Sequence, residues 1–407
     1  MPSRRAIIRG LAGVTSAAGF AGCTRLLTRR DTVELNLPSN PHADALPARQ
    51  HAVDDALRTD EHGNSLAPRY HTVLLLGLRN PPTVEHARTV ERAMRELEGA
   101  YDWSPDGLFH VLAWGSGYFE RIGELAAAPV DHPEVLSRTD DPKLETYDAA
   151  LVLSADDPST LLDAERGLFH GGSLAGSTPD ARLGDVFRVV GRRTGFMGEG
   201  LPAAHTDADG IPDDAPLPKD APMFMGFKSG RRGTQATEDR VTIEEGPFAG
   251  GTTMHLSRLR QSLETWFSLS RNERVARMFS GTLTGEDVDA LTDDVPFEGG
   301  VPEAAREHDV VGHHEKVARV REDGDPLLLR RDFNTVDGGH AGVHFLSYQR
   351  SLADFQATRK AMNGWYLRDD SERVRERRNN GILDFITVTA RANFYVPPRG
   401  GRSFPLL

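Results

Sequence analysis

The order of elements along this chain predicts an α+β protein. It has two ferredoxin-like (split βαβ) units in tandem, their antiparallel sheets packed face to face as in a dimeric α+β barrel. Two observations carry this. Residues 67–195 read as βαββαβ, and the pattern returns over 221–407, where "GVHFLSYQ" and the helix after it echo "AALVLSADDPSTLLDAERG". A sheet covered by helices on one side leaves its other face bare, so two such sheets stack on each other.

In chain order, "HTVLLLGL" (71–78) is a continuous apolar run that reads as a buried strand. "TVEHARTVERAMRELEGAY" brings Val90, Met94, Leu97 and Tyr101 to one face at helical spacing. "LFHVLAW" (108–114) and "YDAALVLSADD" (147–157) are the next strands. Asp157-Pro158 then opens the helix "STLLDAERGLF", since a helix's first turn needs no amide hydrogen from proline. "DVFRVVGRR" (185–193) closes the first unit, and 196–220 is an interdomain loop. In the second unit "APMFMGF" (221–227) is expected as an extra strand. "GGTTMHLSRL" leads into one helix over "RQSLETWFSLSRNERVARMF", "PLLLRRDF" and "GVHFLSYQ" are strands, "SLADFQATRKAMNG" is a helix, and "ILDFITVTARANFYV" is the last strand. Residues 24–66 are polar without an apolar period and read as a flexible tether.

The formal net charge of -12 argues against a nucleic-acid partner. Only Lys143, Lys219, Lys228, Lys316 and Lys360 are lysines, and such an acidic, arginine-rich surface suits a high-salt habitat. Residues 1–23 have the layout of a twin-arginine export signal: Ser3-Arg4-Arg5, a Gly/Ala-rich apolar run, then Ala21-Gly22-Cys23. Cys23 is the sole cysteine, so no intrachain disulfide forms, and it sits where a lipobox places its lipidated thiol. The expectation is export and a lipid anchor at the extracellular face of the cell membrane. Twin-arginine export carries folded proteins, which hints at a cofactor loaded beforehand.

Chemistry concentrates in few places. "GHHEKVARVREDGDPLLLRRDF" (312–333) puts His313 and His314 a short way before an arginine-bearing strand, and imidazoles beside fixed guanidinium charges are relieved by an anionic ligand. A structural zinc site lacks cysteine ligands, whereas haem needs one axial His and cations for its propionates. A plain surface histidine pair is the alternative. "GFMGEG" (195–200) places Glu199 among glycines that allow close backbone approach, as an interdomain loop also would. The four aspartates of "HTDADGIPDDAP" fit no complete EF-hand loop and read as an acidic linker. No nucleophile elbow, phosphate loop or dinucleotide fingerprint occurs.

Together with "GGTTMHLSRLRQSLETWFSLSRNE", "LLLRRDFN" and "AGVHFLSYQRSLADF", these stretches resemble the dye-decolourising peroxidases, in particular their exported, deferrochelatase-like branch, over roughly residues 67–400. The resemblance implies one haem b per subunit in the second unit. It makes His314 the axial ligand, with His313 as the alternative, Arg330 the distal cation, and Arg319 and Arg321 flanking the porphyrin. The family's Gly-Phe-x-Asp-Gly loop is altered here. Read without a gap, Gly198 stands in the place of the distal aspartate; read with one extra residue, Glu199 stands there, before Gly200. The implied activity is reduction of hydrogen peroxide with oxidation of an organic substrate, porphyrin among the candidates, and family members often form homo-oligomers. The alternative function is a lipid-anchored haem- or iron-binding protein of the same fold without peroxidase turnover.

Overall fold

The computed structural model describes residues 35–297 and 299–407; the expected export signal and Cys23 lie outside them. In the first unit β1 (Tyr70–Leu78), α1 (Val84–Ala100), β2 (Phe109–Gly115), β3 (Ala149–Ala155), α2 (Pro158–Phe169) and β4 (Phe187–Phe196) follow one another. The strands lie in the order β4-β1-β3-β2, every pair antiparallel. Local chemistry sets the helix starts. The Thr83 side chain accepts the His86 amide at the head of α1, and Asp157 accepts the Ser159 amide at the head of α2, with Pro158 in its first turn.

The second unit contains β5 (Thr252–Gln261), α3 (Arg271–Met278), α4 (His313–Ala318), β6 (Leu329–Arg330), β7 (Phe333–Thr335), β8 (Gly342–Gln349), α5 (Leu352–Asn363) and β9 (Ile386–Val396). Its sheet repeats the first: β9 pairs with β5, β5 with β8, and β8 with β6 and β7. The two sheets also join at both edges. Asn334 of β7 pairs with Phe196 of β4, and Phe394 and Tyr395 of β9 pair with Gly115 and Trp114 of β2. The result is a closed ring of strands with an apolar interior. Val73, Leu75, Met254, Leu256, Phe333 and Phe394 point into it, while Leu74 and Leu76 turn outward under α1 and α2, the period-two alternation of strands.

Several segments depart from the expectation. Residues 221–227 form turns, not a strand. The Phe224 amide donates to Asn334 Oδ1 (3.0 Å), and the Met225 carbonyl accepts from Trp266 Nε1 (3.0 Å), so this segment spends these polar groups on side chains of other elements and its apolar side chains on the core beneath the helices. The long helix over 260–279 is two, Leu263–Phe267 and α3, because Ser270 forms a capping box with Glu273 and restarts the helix. "HHEKVA" is the helix α4, and the strand over "PLLLRRDF" is divided into β6 and β7. From residue 35 the expected tether lies on the body. Gln50 is fully buried, accepting from the Leu112 amide (3.0 Å) and donating to the Pro397 carbonyl (2.9 Å). Among the described residues no helix is long and apolar enough to cross a membrane.

Candidate functional site

A cavity of about 250 Å³ lies on the outer side of the second sheet, between that sheet and helices α4 and α5. Ser257 and Leu259 of β5, Val343 and Phe345 of β8 and Val388 of β9 face it from the sheet. Val317 of α4 and Phe355 and Met362 of α5 face it from the helices, and Met223, Met225 and Phe227 close one side. Its walls are thus mostly apolar, as expected of a site for a flat organic ligand.

His313 and His314 open helix α4 and both line the cavity. The helix is fastened by the residues that follow them. Buried Glu315 accepts the Gly312 amide (2.7 Å) and the Ser280 hydroxyl (2.9 Å). The fully buried Lys316 ammonium donates to the carbonyls of Met362 and Asn380 (2.8 Å each) and to Asn380 Oδ1 (2.6 Å). Gly312 is required by close approach, because a Cβ there would stand 1.7 Å from the Phe279 carbonyl oxygen. His314 Nε2 and His313 Nδ1 are buried and have no hydrogen-bond partner among the described residues. Burial, then the charges of Arg330 and Arg321, lower the His314 ring to about 4, partly opposed by the Val295 backbone. Burial, then Lys316 and Arg330, hold His313 well below its ordinary value. Both rings are therefore neutral near pH 7, with lone pairs available to a metal.

Cations surround these rings. Arg330 is held by neutral groups: its amide and Nε donate to Gln235 Oε1 (3.0 and 3.3 Å) and Nη2 to the Thr234 hydroxyl (3.4 Å). Arg321 donates to the carbonyls of Gly324 (2.9 Å) and Gly233 (3.3 Å), and its Nε is buried without a partner. Arg231 likewise reaches the Lys228 and Leu291 carbonyls. None of these three has a carboxylate salt bridge among the described residues, whereas Lys228 pairs with Asp60, and Arg359 and Arg391 share Asp140 (2.7 and 2.9 Å). Asp332 is the one carboxylate among the lining residues. Burial pushes its acid upward, against the pull of Arg330 and Arg331. An apolar cavity with uncompensated guanidinium groups at its rim suits a flat, apolar molecule bearing carboxylates.

The remaining residues singled out from the sequence lie elsewhere. Glu199 is exposed and not part of the cavity wall, and neither is Gly200. Phe196 is pinned to β7 through Asn334 and stacked on His205, after which Gly198 (φ 130°) and Gly200 (φ 80°) turn the loop away. Arg319 is exposed, its guanidinium 3.8 Å from the centre of the Tyr366 ring. Sequence reading passed over Asp332, although it stands in the quoted "LLLRRDF" and two residues from Arg330 on an extended segment, a spacing that shares a face.

Among the described residues no group of three or more His, Cys, Asp or Glu side chains converges to hold a metal ion, so an iron here would need a porphyrin to complete its ligands. The fold is that of the dye-decolourising peroxidase structures. The chain matches a DyP-type peroxidase from Cellulomonas bogoriensis with a TM-score of 0.55 and 18% identity, covering 85% of this chain and 96% of that one. A dye-decolorizing protein from V. cholerae matches with a TM-score of 0.52 and 17% identity, over 86% and 98%. A single-residue variant of DypB from Rhodococcus jostii RHA1, solved in complex with heme, matches with a TM-score of 0.51 and 16% identity, over 87% and 99%. By sequence the chain belongs to the family described as a family of unknown function, DUF7405, whose model matches residues 68–398. Among curated proteins no match is found.

Proposed function

We propose that the protein binds haem b in this cavity, one per subunit, through His314. It then reduces hydrogen peroxide at the expense of an organic reductant. The observation that carries the reading is His314 Nε2, buried, neutral and, among the described residues, without a partner, in an apolar cavity ringed by guanidinium groups that have no carboxylate partner among those residues. The residues present fit the group: His314 would ligate iron, with Arg321 and Arg231 available to the propionates. When bound, haem would supply the redox chemistry for the reduction of peroxide. Arg330, its charge not spent on a carboxylate, stabilises the negative charge that develops on the departing oxygen. The apolar side chains of β5, β8 and α5 exclude water from that charge. The fold likeness supports the peroxidase class, and the sequence resemblance to the deferrochelatase-like branch makes a porphyrin substrate part of the proposal. The N-terminal signal and Cys23 add export by the twin-arginine route and lipid anchoring on the membrane's outer face as further parts of it, and the family resemblance adds a homo-oligomer.

One observation favours the second reading, a haem- or iron-binding protein without turnover: Glu199, the acid expected beside the iron, is exposed on an outer loop. Absorption spectroscopy decides between them. Protein produced with haem is expected to show a Soret band that His314→Ala abolishes, and to oxidise a bulky dye only with peroxide. A colourless protein defeats both readings. A Soret band with trace-level dye oxidation leaves the second.

A further inference from the structure

We infer that Asp332 is the catalytic acid–base group of the cavity, taking a proton from hydrogen peroxide onto a carboxylate oxygen and returning it to the oxygen that leaves as water. The inference rests on the haem-peroxidase reading and adds the residue that reading lacks. Asp332 follows Arg330 by two positions between β6 and β7, and both line the cavity. Leu329 and Phe333 on the alternate positions point into the ring of strands. Arg331 points away as well, 2.6 Å from Asp54 and 3.7 Å from Glu238, so on the cavity side Asp332 has Arg330 as its neighbouring cation. The remaining charged or titratable groups on the cavity wall are His313 and His314 of α4, Lys228 and Arg231 of the preceding loop, Arg321, Arg359 of α5 and Arg391 of β9. No salt bridge from Asp332 to another side chain is formed among the described residues. A structural carboxylate so placed would be expected to pair with one of these cations; an unpaired one remains free to exchange a proton. Burial favours its protonated form, which brings the acid closer to the pH at which a proton shuttle works best.

The chemistry balances. Hydrogen peroxide takes two electrons and two protons from two molecules of organic reductant, each losing one electron and one proton, and its O–O bond breaks to give two waters. Asp332 moves a proton from one oxygen to the other and is itself unchanged.

The test uses the full, haem-loaded chain and its variants Asp332→Asn, Asp332→Glu and Glu199→Gln. Two rates are read per haem bound: reaction with peroxide, and association of cyanide followed by the Soret shift. Hydrogen cyanide must surrender a proton to bind, so its association reports the base without turnover. Asp332→Asn is expected to keep the Soret band and to slow both rates on the order of 100-fold. Asp332→Glu should recover part of the loss, and Glu199→Gln should stay within about 2-fold of the parent. Haem-loaded Asp332→Asn within about 3-fold of the parent, or a loss of that order in Glu199→Gln, overturns the assignment. A parent chain without a Soret band overturns the haem reading itself, and this inference with it.

Discussion

Arg330 is anchored by an amide and a hydroxyl, and both are neutral. An arginine neutralised by a carboxylate would contribute little further stabilisation to a developing anion, so the choice of Gln235 and Thr234 as partners keeps the charge available. Arg330→Leu is therefore expected to slow peroxide reaction about 100- to 1000-fold. Haem content should change little, since Arg231 and Arg321 would remain available to the propionates of the proposed haem; stopped-flow absorbance per haem measures it. Arg330→Lys should recover only part, because a point charge does not reproduce the guanidinium fork. At this scale the sequence was legible where a residue's chemistry and its local period agreed. His314 and Arg330 lie in one short stretch, and the structure brings both to one cavity. Glu199 was not legible, because the glycines that suggested close approach to a ligand instead turn the loop outward. Asp332 was within reach of the same reasoning, since alternation along "LRRDF" puts it with Arg330.

At the scale of elements, the helix that carries both histidines has only six residues and cannot be stable by propensity. Its position depends on Glu315 and Lys316 and on the contact of Gly312 with the Phe279 carbonyl. Gly312→Ala forces that contact apart and should displace the helix, at a cost of about 1–3 kcal/mol as overpacking. The expected outcome is a lowered melting temperature together with weakened haem binding by titration, although no ligand is altered; unchanged binding would mean the helix tolerates the shift. The same dependence explains why α4 was not assigned as a helix from sequence: "HHEKVA" has no apolar period, and its anchors are polar groups that meet only in the folded chain. Caps behaved oppositely. Asp157-Pro158 was readable because the interaction is local, while Ser270, an equally local cap, was overlooked inside a window whose apolar spacing ran on across it.

Across the whole molecule the two sheets were legible as a repeat, because each strand carries its own alternation, but their closure into a ring was not resolved strand by strand. The pairings at Asn334–Phe196 and Phe394–Gly115 join segments far apart in sequence through backbone groups that every residue shares. Closure also buries imidazoles throughout the body, and this gives the protein a shared response to acid. His51, His71 and His110 are lowered to about 4 and His255 to about 3, burial being the first cause in each, and all four are almost wholly inaccessible. A histidine whose folded value lies below its unfolded value of about 6.5 binds its proton more readily when unfolded. Between pH 6.5 and about 4 the unfolded chain thus takes up more protons, and stability falls as pH falls, by up to about 1.4 kcal/mol per pH unit for each ring fully titrated in one state only. Carboxylates held below their ordinary range act in the same direction but later, whereas Asp332, Glu238, Asp354 and Asp384, raised by burial, act against it. Asp337, lowered to about 2 by His344 and Thr194 against the opposing effect of burial, stabilises the fold at neutral pH and loses that contribution only as pH falls from about 4 toward 2. The melting temperature of the haem-free chain should therefore begin to fall between pH 7 and pH 5, before any carboxylate accounts for it. His71, whose ring nitrogens meet Ser154 Oγ (2.9 Å) and the Pro68 carbonyl (2.8 Å) and whose ring stacks on Phe333, is the best single reporter. His71→Gln is expected to lower the melting temperature at pH 7 through lost stacking and to flatten its dependence on pH by about a seventh, one ring contributing equally with the other lowered histidines, His51, His110, His255, His313, His314 and His344. Calorimetry at a series of pH values separates the two effects, since lost packing displaces the whole curve while a lost titration changes its slope. A melting temperature constant from pH 7 to pH 5 would mean that these rings bind protons equally in the folded and unfolded chains.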